Sequence, residues 1–124
     1  MAVHIEFKSK SRQIAENGGG QVPSQRLAAW LRTRLVDTGI EAASPTMHDW
    51  GYEIHIHARG GEYYAGVPSK VDRGNLHVFV EKRLTIRDRV LGRVTPVEEP
   101  MAQLIKEIIA REPDFRLVRV EQRQ

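Results

Sequence analysis

The stretch YEIHIHARGGEYYAGV at residues 52–67 constrains the fold more than any other part of the chain. Apolar and polar residues alternate on both sides of Gly60-Gly61, which is the pattern of two half-buried strands. Both glycines accept the positive φ angles of a two-residue turn, so we expect a β-hairpin that pairs His57 with Tyr64. One face of this hairpin would be apolar, with Ile54, Ile56, Ala58, Tyr63, Ala65 and Val67. The other would be polar, with Glu53, His55, His57, Arg59, Glu62 and Tyr64.

Three further segments alternate like strands. Residues 3–7 and 76–80 place an apolar side chain at every second position, and Leu84 and Ile86 keep the parity of the second segment. Lys82 interrupts this alternation, which indicates a bend or a bulge. FRLVRV at residues 115–120 forms the last strand, and its pattern leaves open which side chains face the core.

Two segments have helical periodicity. The first follows Ser24, a candidate N-cap, and ends at Gly39, which favours a left-handed stop. The second has Pro96 or Pro100 in its first turn and ends before Pro113. Their apolar stripes consist of Leu27, Trp30, Leu31 and Leu35, and of Met101, Leu104, Ile105, Ile108 and Ile109.

The order of elements is therefore βαβββαβ. Each helix has one apolar stripe and the strands alternate, so we predict a two-layer α+β sandwich with both helices on one face of a mainly antiparallel sheet. The 124 residues form a single domain in this prediction. Residues 8–22, which contain three successive glycines, should be a flexible loop, and residues 43–51 a turn-rich connection.

The sheet face opposite the helices should be open, and we expect it to carry the function. Parity places His4 there together with most of the other histidines, two aromatic residues and several arginines. The predicted partner-binding residues on this face are His55, His57, Arg59, Tyr64, His77, Phe79, Arg83 and Arg87.

An exposed phenylalanine beside tyrosine and arginine is typical of the centre of a protein interface. The sequence therefore favours a non-enzymatic protein-binding or accessory module, either a homodimer through this face or a small inhibitor or immunity-type protein. Nucleic acid is an alternative partner, because the face is basic and aromatic and the net charge is +3. A metal site at His55 and His57, with His77 or Glu53 as third ligand, is the other alternative.

Several classes of protein are disfavoured by what the chain lacks. It has no cysteine, which excludes disulfides, zinc ribbons and thiol nucleophiles, and it has no GxSxG motif. We therefore expect no catalytic residues and no cofactor. No apolar run is long enough for a signal peptide or a membrane span, so a cytoplasmic protein without a membrane partner is expected.

The segments DWGYEIHIHARGGEYYAGV and HVFVEKR precede an amphipathic helix and a last strand. In this arrangement the chain resembles, over most of its length, a group of small bacterial α+β proteins of uncharacterised activity. The resemblance implies an α+β fold. It implies no activity, so no site residue follows from it.

Overall fold

A computed structural model of the chain describes residues 2–9, 23–58, 61–69, 75–83 and 99–123. In order these residues form β1 (Ala2–Ser9), α1 (Pro23–Asp37), β2 (Glu41–Ala42), β3 (Thr46–His48), β4 (Gly51–Ala58), β5 (Gly61–Pro68), β6 (Leu76–Lys82), α2 (Pro100–Arg111) and β7 (Phe115–Arg123). The strands make one antiparallel sheet in the order β2-β4-β5-β6-β1-β7, and β3 also pairs with β4. This architecture confirms the predicted α+β sandwich.

Both helices pack on the same face of the sheet and share one hydrophobic core with it. Each helix contributes its predicted apolar stripe, and the strands contribute alternate residues such as Ile5, Ile54 and Val78. Phe7 is fully buried, and its ring lies 4.8 Å from the ring of Phe115. Burial of such side chains contributes about 1.5–3 kcal/mol each, so this face holds the fold together.

The end of α1 is a Schellman motif. The N–H of Ile40 donates to the carbonyl of Leu35, and the N–H of Gly39 donates to the carbonyl of Val36. Gly39 has a φ of 86°, which confirms the predicted left-handed stop. The start of this helix differs from the prediction. The helix begins at Pro23, so Ser24 lies inside its first turn and is not the N-cap.

The ends of α2 agree with the sequence pattern. Glu99 is the N-cap, and its side chain accepts a hydrogen bond from the N–H of Met101. Pro100 occupies the first turn, where a missing N–H costs nothing. The helix ends at Arg111, before Pro113, whereas Pro96 lies outside the described residues.

The hairpin of β4 and β5 forms with a register that the sequence did not predict. His55, not His57, is opposite Tyr64, and Ala58 is opposite Gly61. Gly61 is thus the first residue of β5 and not a turn residue. The predicted facing is nevertheless confirmed, since Tyr63 is buried on the helix side and Tyr64 is on the opposite side. Compared with the predicted register, each residue of β4 is paired with a residue of β5 two positions away from the expected one. A shift of two positions leaves every side chain on its own face of the sheet.

Three other predictions need correction. The connection at 43–51 contains a regular strand, because β3 pairs with β4 from Thr46 to His48. Lys82 marks no bulge, since it continues the regular pairing of β6 with β5 opposite Tyr63. Its ammonium group lies 6.0 Å from the Tyr63 ring, which allows a lysine to occupy a core-facing position at the end of a strand. The predicted loop at 8–22 begins later, because Lys8 and Ser9 still belong to β1 and pair with β7. Residues 10–22, Leu84 and Ile86 lie outside the described residues.

The pairing of the last strand, β7, explains why the sequence did not show which of its side chains face the core. β7 pairs with β1, and the register shifts by one residue between Glu6 and Phe7. Leu117 therefore faces the core with Phe7, whereas Val120 faces it with Ile5. Odd-numbered residues point inward before the bulge and even-numbered residues after it, so no single alternation fits FRLVRV.

Candidate functional site

The outer face, which we define as the sheet face opposite the helices, is rich in histidine and in charged residues. The strand registers place all five histidines of the chain on it. Among residues 2–9, 23–58, 61–69, 75–83 and 99–123, no helix or strand packs on this face. Its side chains include His4, Glu6 and Lys8 of β1, Glu41 of β2, His48 of β3, Glu53, His55 and His57 of β4, Glu62 and Tyr64 of β5, His77, Phe79 and Glu81 of β6, and Arg116, Arg119 and Glu121 of β7.

Five aromatic rings form a continuous row across this face, which we call the aromatic row: His77, His4, Phe79, Trp50 and His48. The successive ring centroids are 4.8, 5.7, 5.3 and 5.3 Å apart. The last two rings are stacked, with 3° between their planes. These separations are those of interacting aromatic pairs, so the row is a packed surface and not a set of independent side chains.

Glycine determines where the centre of the row lies. Gly66 of β5 is opposite Phe79 of β6, and a Cβ atom at Gly66 would overlap the Phe79 ring. The ring therefore lies over Gly66, in the space that a side chain would fill. Trp50 contacts it from the turn between β3 and β4, with 41% of its surface exposed. The row thus extends from β1 to β3, with Trp50 and His48 exposed and with His4, His77 and Phe79 half-buried.

The two histidines at the other end of the row form a hydrogen bond. Nδ1 of His4 lies 2.6 Å from Nε2 of His77. A doubly protonated imidazole has no acceptor, so this bond requires at least one neutral ring. His77 was a predicted site residue, and the structure places it beside His4 and not beside His55.

A cleft of about 500 Å³ lies at the β2 edge of the outer face. We call its titratable lining, Glu41, His55, His57 and Glu62, the acidic corner. The His55 ring stacks on Tyr64 at 5.1 Å, and its Nε2 atom lies 3.9 Å from a Glu62 carboxylate oxygen. Glu62 in turn accepts a hydrogen bond from Arg83, so Glu41 is the exposed carboxylate that has no ion-pair partner among the described residues.

The hydrogen bond from Arg83 lowers the pKa of Glu62 below its ordinary value of 4.5. Partial burial opposes this change, and the charges of Arg83, His55 and His57 add to it. A lowered folded-state pKa means that Glu62 contributes stability above its unfolded-state pKa and loses that contribution as pH falls through the folded-state pKa. The ion pair is exposed, so its contribution should be small.

We predict that the Glu62 carboxyl titrates below pH 4.5 and that Arg83→Gln moves its pKa upward toward that value. Carbon-detected NMR of the side-chain carboxyl during an acid titration measures both. Arg111→Gln, on the exposed side of α2, is the matched control and should leave the Glu62 pKa unchanged. An Arg83→Gln curve that superimposes on the wild-type curve would contradict the assignment.

Basic residues lie at the opposite edge of the outer face. Lys8 of β1 and Arg116 of β7 are paired across the two strands, and both side chains are exposed without an ion-pair partner among the described residues. We call them the basic corner. Arg119 is different, because it contacts the buried carboxylate of Glu6 at 3.4 Å and Glu121 at 3.7 Å. This arginine offsets the cost of burying Glu6 and is not free to bind a partner.

The structure divides the predicted site residues into two groups. His77 and Phe79 belong to the aromatic row, whereas His55, His57, Tyr64 and Arg83 lie at or beside the acidic corner. Arg59 and Arg87 lie outside the described residues. Sequence reasoning missed Trp50, His48, Glu41, Lys8 and Arg116. Trp50 lies directly before Gly51, the first residue of β4, and this position next to a strand was the signal that could have placed it on the outer face.

In the described part of the chain, no group of three or more His, Cys, Asp or Glu side chains is spaced to hold a metal ion. Of the two candidate third ligands for His55 and His57, His77 is bonded to His4, and Glu53 lies 3.7 Å from His48.

No protein-family model matches this chain, and no curated protein is significantly similar to it. Within the described residues, neither helix is long and apolar enough to cross a membrane.

Proposed function

We propose that this chain is a non-enzymatic protein-binding module and that the outer face is its binding surface. The observation that carries the proposal is the aromatic row, which lies on an open sheet face between two charged corners. Protein interfaces have an apolar, aromatic centre and a polar rim, and a few aromatic residues supply most of their binding energy. The arrangement of Trp50 and Phe79 has this character.

Phe79 and Trp50 are suited to this role because they are already held in place. The Phe79 ring lies on the backbone of Gly66, and Trp50 is fixed between Phe79 and His48. Little conformational entropy is therefore lost when a partner binds them. Exposed histidines and carboxylates at the ends of the row supply hydrogen bonds and set the orientation of the partner.

Nucleic acid is the less favoured partner, although a row of rings suits base stacking. Binding to phosphates requires arginine and lysine side chains that are free to neutralise them. Arg83 and Arg119 are instead paired with carboxylates of the outer face itself. This leaves Lys8 and Arg116, at one corner, as the exposed basic side chains of this face without an ion-pair partner among the described residues. Glu41 and Glu53 add further negative charge near the row, which would repel a phosphate backbone.

Site-specific photo-crosslinking in cells of the native host tests the proposal. A benzophenone amino acid replaces Trp50 or His57 on the outer face, or Val36, which is exposed on α1 on the other side of the molecule. We expect discrete protein adducts from the two outer-face positions and none from Val36. Adducts from Val36 alone would refute the proposal, and adducts that a nuclease shortens would identify nucleic acid as the partner.

A further inference from the structure

We infer that the partner of the outer face is a second copy of this chain, bound so that the acidic corner of each copy meets the basic corner of the other. This inference rests on the proposed function and specifies the partner. Three observations support the inference. The unpaired charges lie at two corners of the face, and the aromatic row lies between these corners. Dimers of identical chains commonly have two-fold symmetry, which brings each corner of one copy onto the opposite corner of the other.

The strand registers place the two corners diagonally opposite each other. Glu41, His57 and Glu62 are neighbours across β2, β4 and β5, at one edge of the sheet. Glu62 lies beside the C-terminal end of β6, because its carbonyl accepts a hydrogen bond from the N–H of Arg83. Lys8 and Arg116 lie at the other edge.

The basic corner also lies at the other end of the strands. Phe7, the neighbour of Lys8, pairs with Leu76, which is the first residue of β6. The whole length of β6 therefore separates Lys8 from Glu62 along the strands, and the two residues lie on different strands of the sheet with β6 between them.

The unpaired charges at the two corners are complementary. Glu41 at one corner, and Lys8 and Arg116 at the other, are exposed and have no ion-pair partner in the described ranges. Complementary charge patches on the two sides of an aromatic surface steer and orient association. The cleft at the acidic corner has room for the basic side chains of the other corner.

The acidic and basic corners lie at the two ends of one diagonal of the outer face. A two-fold axis in the plane of this face, along the diagonal that does not join them, brings the two corners together. Rotation about this axis turns a second copy face to face with the first and exchanges the acidic and basic corners, so the contact between them forms twice. The strands of the two sheets then cross at ~90°, which is one of the two common ways in which sheets pack.

The same axis passes over the aromatic row. His48 and Trp50 lie at the end of the face between the two corners, and Phe79 lies near its centre. The row of one copy would therefore pack on the row of the other. The dimer would have an aromatic centre and an ionic contact on each side of it, which is the anatomy of a specific interface.

A charge exchange tests the inference with the whole chain. Sedimentation equilibrium over a range of concentrations gives the dissociation constant of wild type, Glu41→Arg, Arg116→Glu and the double variant. We expect wild type to dimerise and each single variant to dissociate about tenfold more readily, since each places like charges together twice. The double variant, in which positions 41 and 116 exchange their charges, should return to within about threefold of wild type.

Glu107→Arg is the matched control, because it reverses an exposed charge on α2, away from the outer face. It should leave the dissociation constant unchanged. Melting curves must show that all variants are folded, as expected for exposed positions. A double variant that is weaker than both single variants overturns the inference.

A wild type that is monomeric at all accessible concentrations also overturns it. That result does not decide the proposed function, which the crosslinking from Trp50 and His57 tests separately.

Discussion

Phe79→Glu should weaken association through the outer face about 30-fold or more and leave the chain folded. The Phe79 ring packs between Trp50 and His4 at the centre of the aromatic row. Replacement by glutamate removes these contacts and places a charge where an interface excludes water, and central aromatic residues of interfaces commonly contribute about 2 kcal/mol or more. The core is not affected, because Val78 and Val80 on either side face the helices and are fully buried.

Light scattering and a melting curve, measured on the same samples, separate the two effects. Val36→Glu is the matched control, since Val36 is an apolar residue with 45% of its surface exposed on α1. It introduces the same charge and should change neither the mass nor the melting temperature appreciably. If Phe79→Glu has the mass and the crosslinks of wild type, the aromatic row is not the binding surface.

The facing of the strands could be predicted from the sequence, whereas the register of the hairpin could not. Alternation assigned Tyr63 to the core and Tyr64 to the outer face, as observed. The same alternation is satisfied when the strands slide so that partners change by two positions. Only the position of the turn distinguishes these registers. Gly60-Gly61 has the composition of a two-residue turn, but Gly61 is the first residue of β5, so composition indicated the wrong register.

The outer face was partly predictable for the same reason. His55, His57, His77 and Phe79 lie in strands long enough to alternate, and parity therefore located them. Trp50 was not predicted, since it lies in a turn next to a strand of three residues. No periodicity can be read in such a short strand.

The basic corner was hidden by the bulge between β1 and β7. Residues 115–120 contain two arginines, and the pattern gave no basis for assigning either to a face. The register shift between Glu6 and Phe7 decides the matter, because it places both Arg116 and Arg119 on the outer face although their numbers differ in parity. A bulge depends on how β7 fits against β1, which is a property of the tertiary structure.

Gly51→Ala should lower the free energy of unfolding by about 3 kcal/mol, which is a large effect for the addition of a single methyl group. Gly51 begins β4 with a φ of 151°, and a Cβ atom would overlap the carbonyl oxygen of Val67. It would also lie 2.8 Å from Cα of Pro68 and 2.9 Å from the backbone nitrogen of Ser69. These are backbone atoms of the paired strand and the residue after it, so they cannot rotate away as a side chain would.

The strain should extend to the outer face, because Gly51 follows Trp50 directly. The carbonyl of Trp50 accepts a hydrogen bond of 2.8 Å from the N–H of Ser69, and separation of β4 from β5 would break it. Urea denaturation measures the stability. The tryptophan fluorescence of the folded state, recorded in a Trp30→Phe background so that Trp50 is the one tryptophan of the chain, reports whether the surroundings of Trp50 change. Gly39→Ala is the control. Gly39 also has a positive φ, of 86°, but nothing lies within 4 Å of its added Cβ atom.

The comparison of Gly51→Ala with Gly39→Ala separates the cost of a positive φ from the cost of a steric collision. Gly39→Ala introduces only the conformational penalty and should cost about 1 kcal/mol. Gly51→Ala adds the collision with β5, so it should cost roughly three times as much and should alter the Trp50 signal, which Gly39→Ala should not. Equal losses from the two variants would mean that β4 and β5 can separate at this end without cost. Trp50 would then not be held against Phe79, and the aromatic row would lose its rigid end.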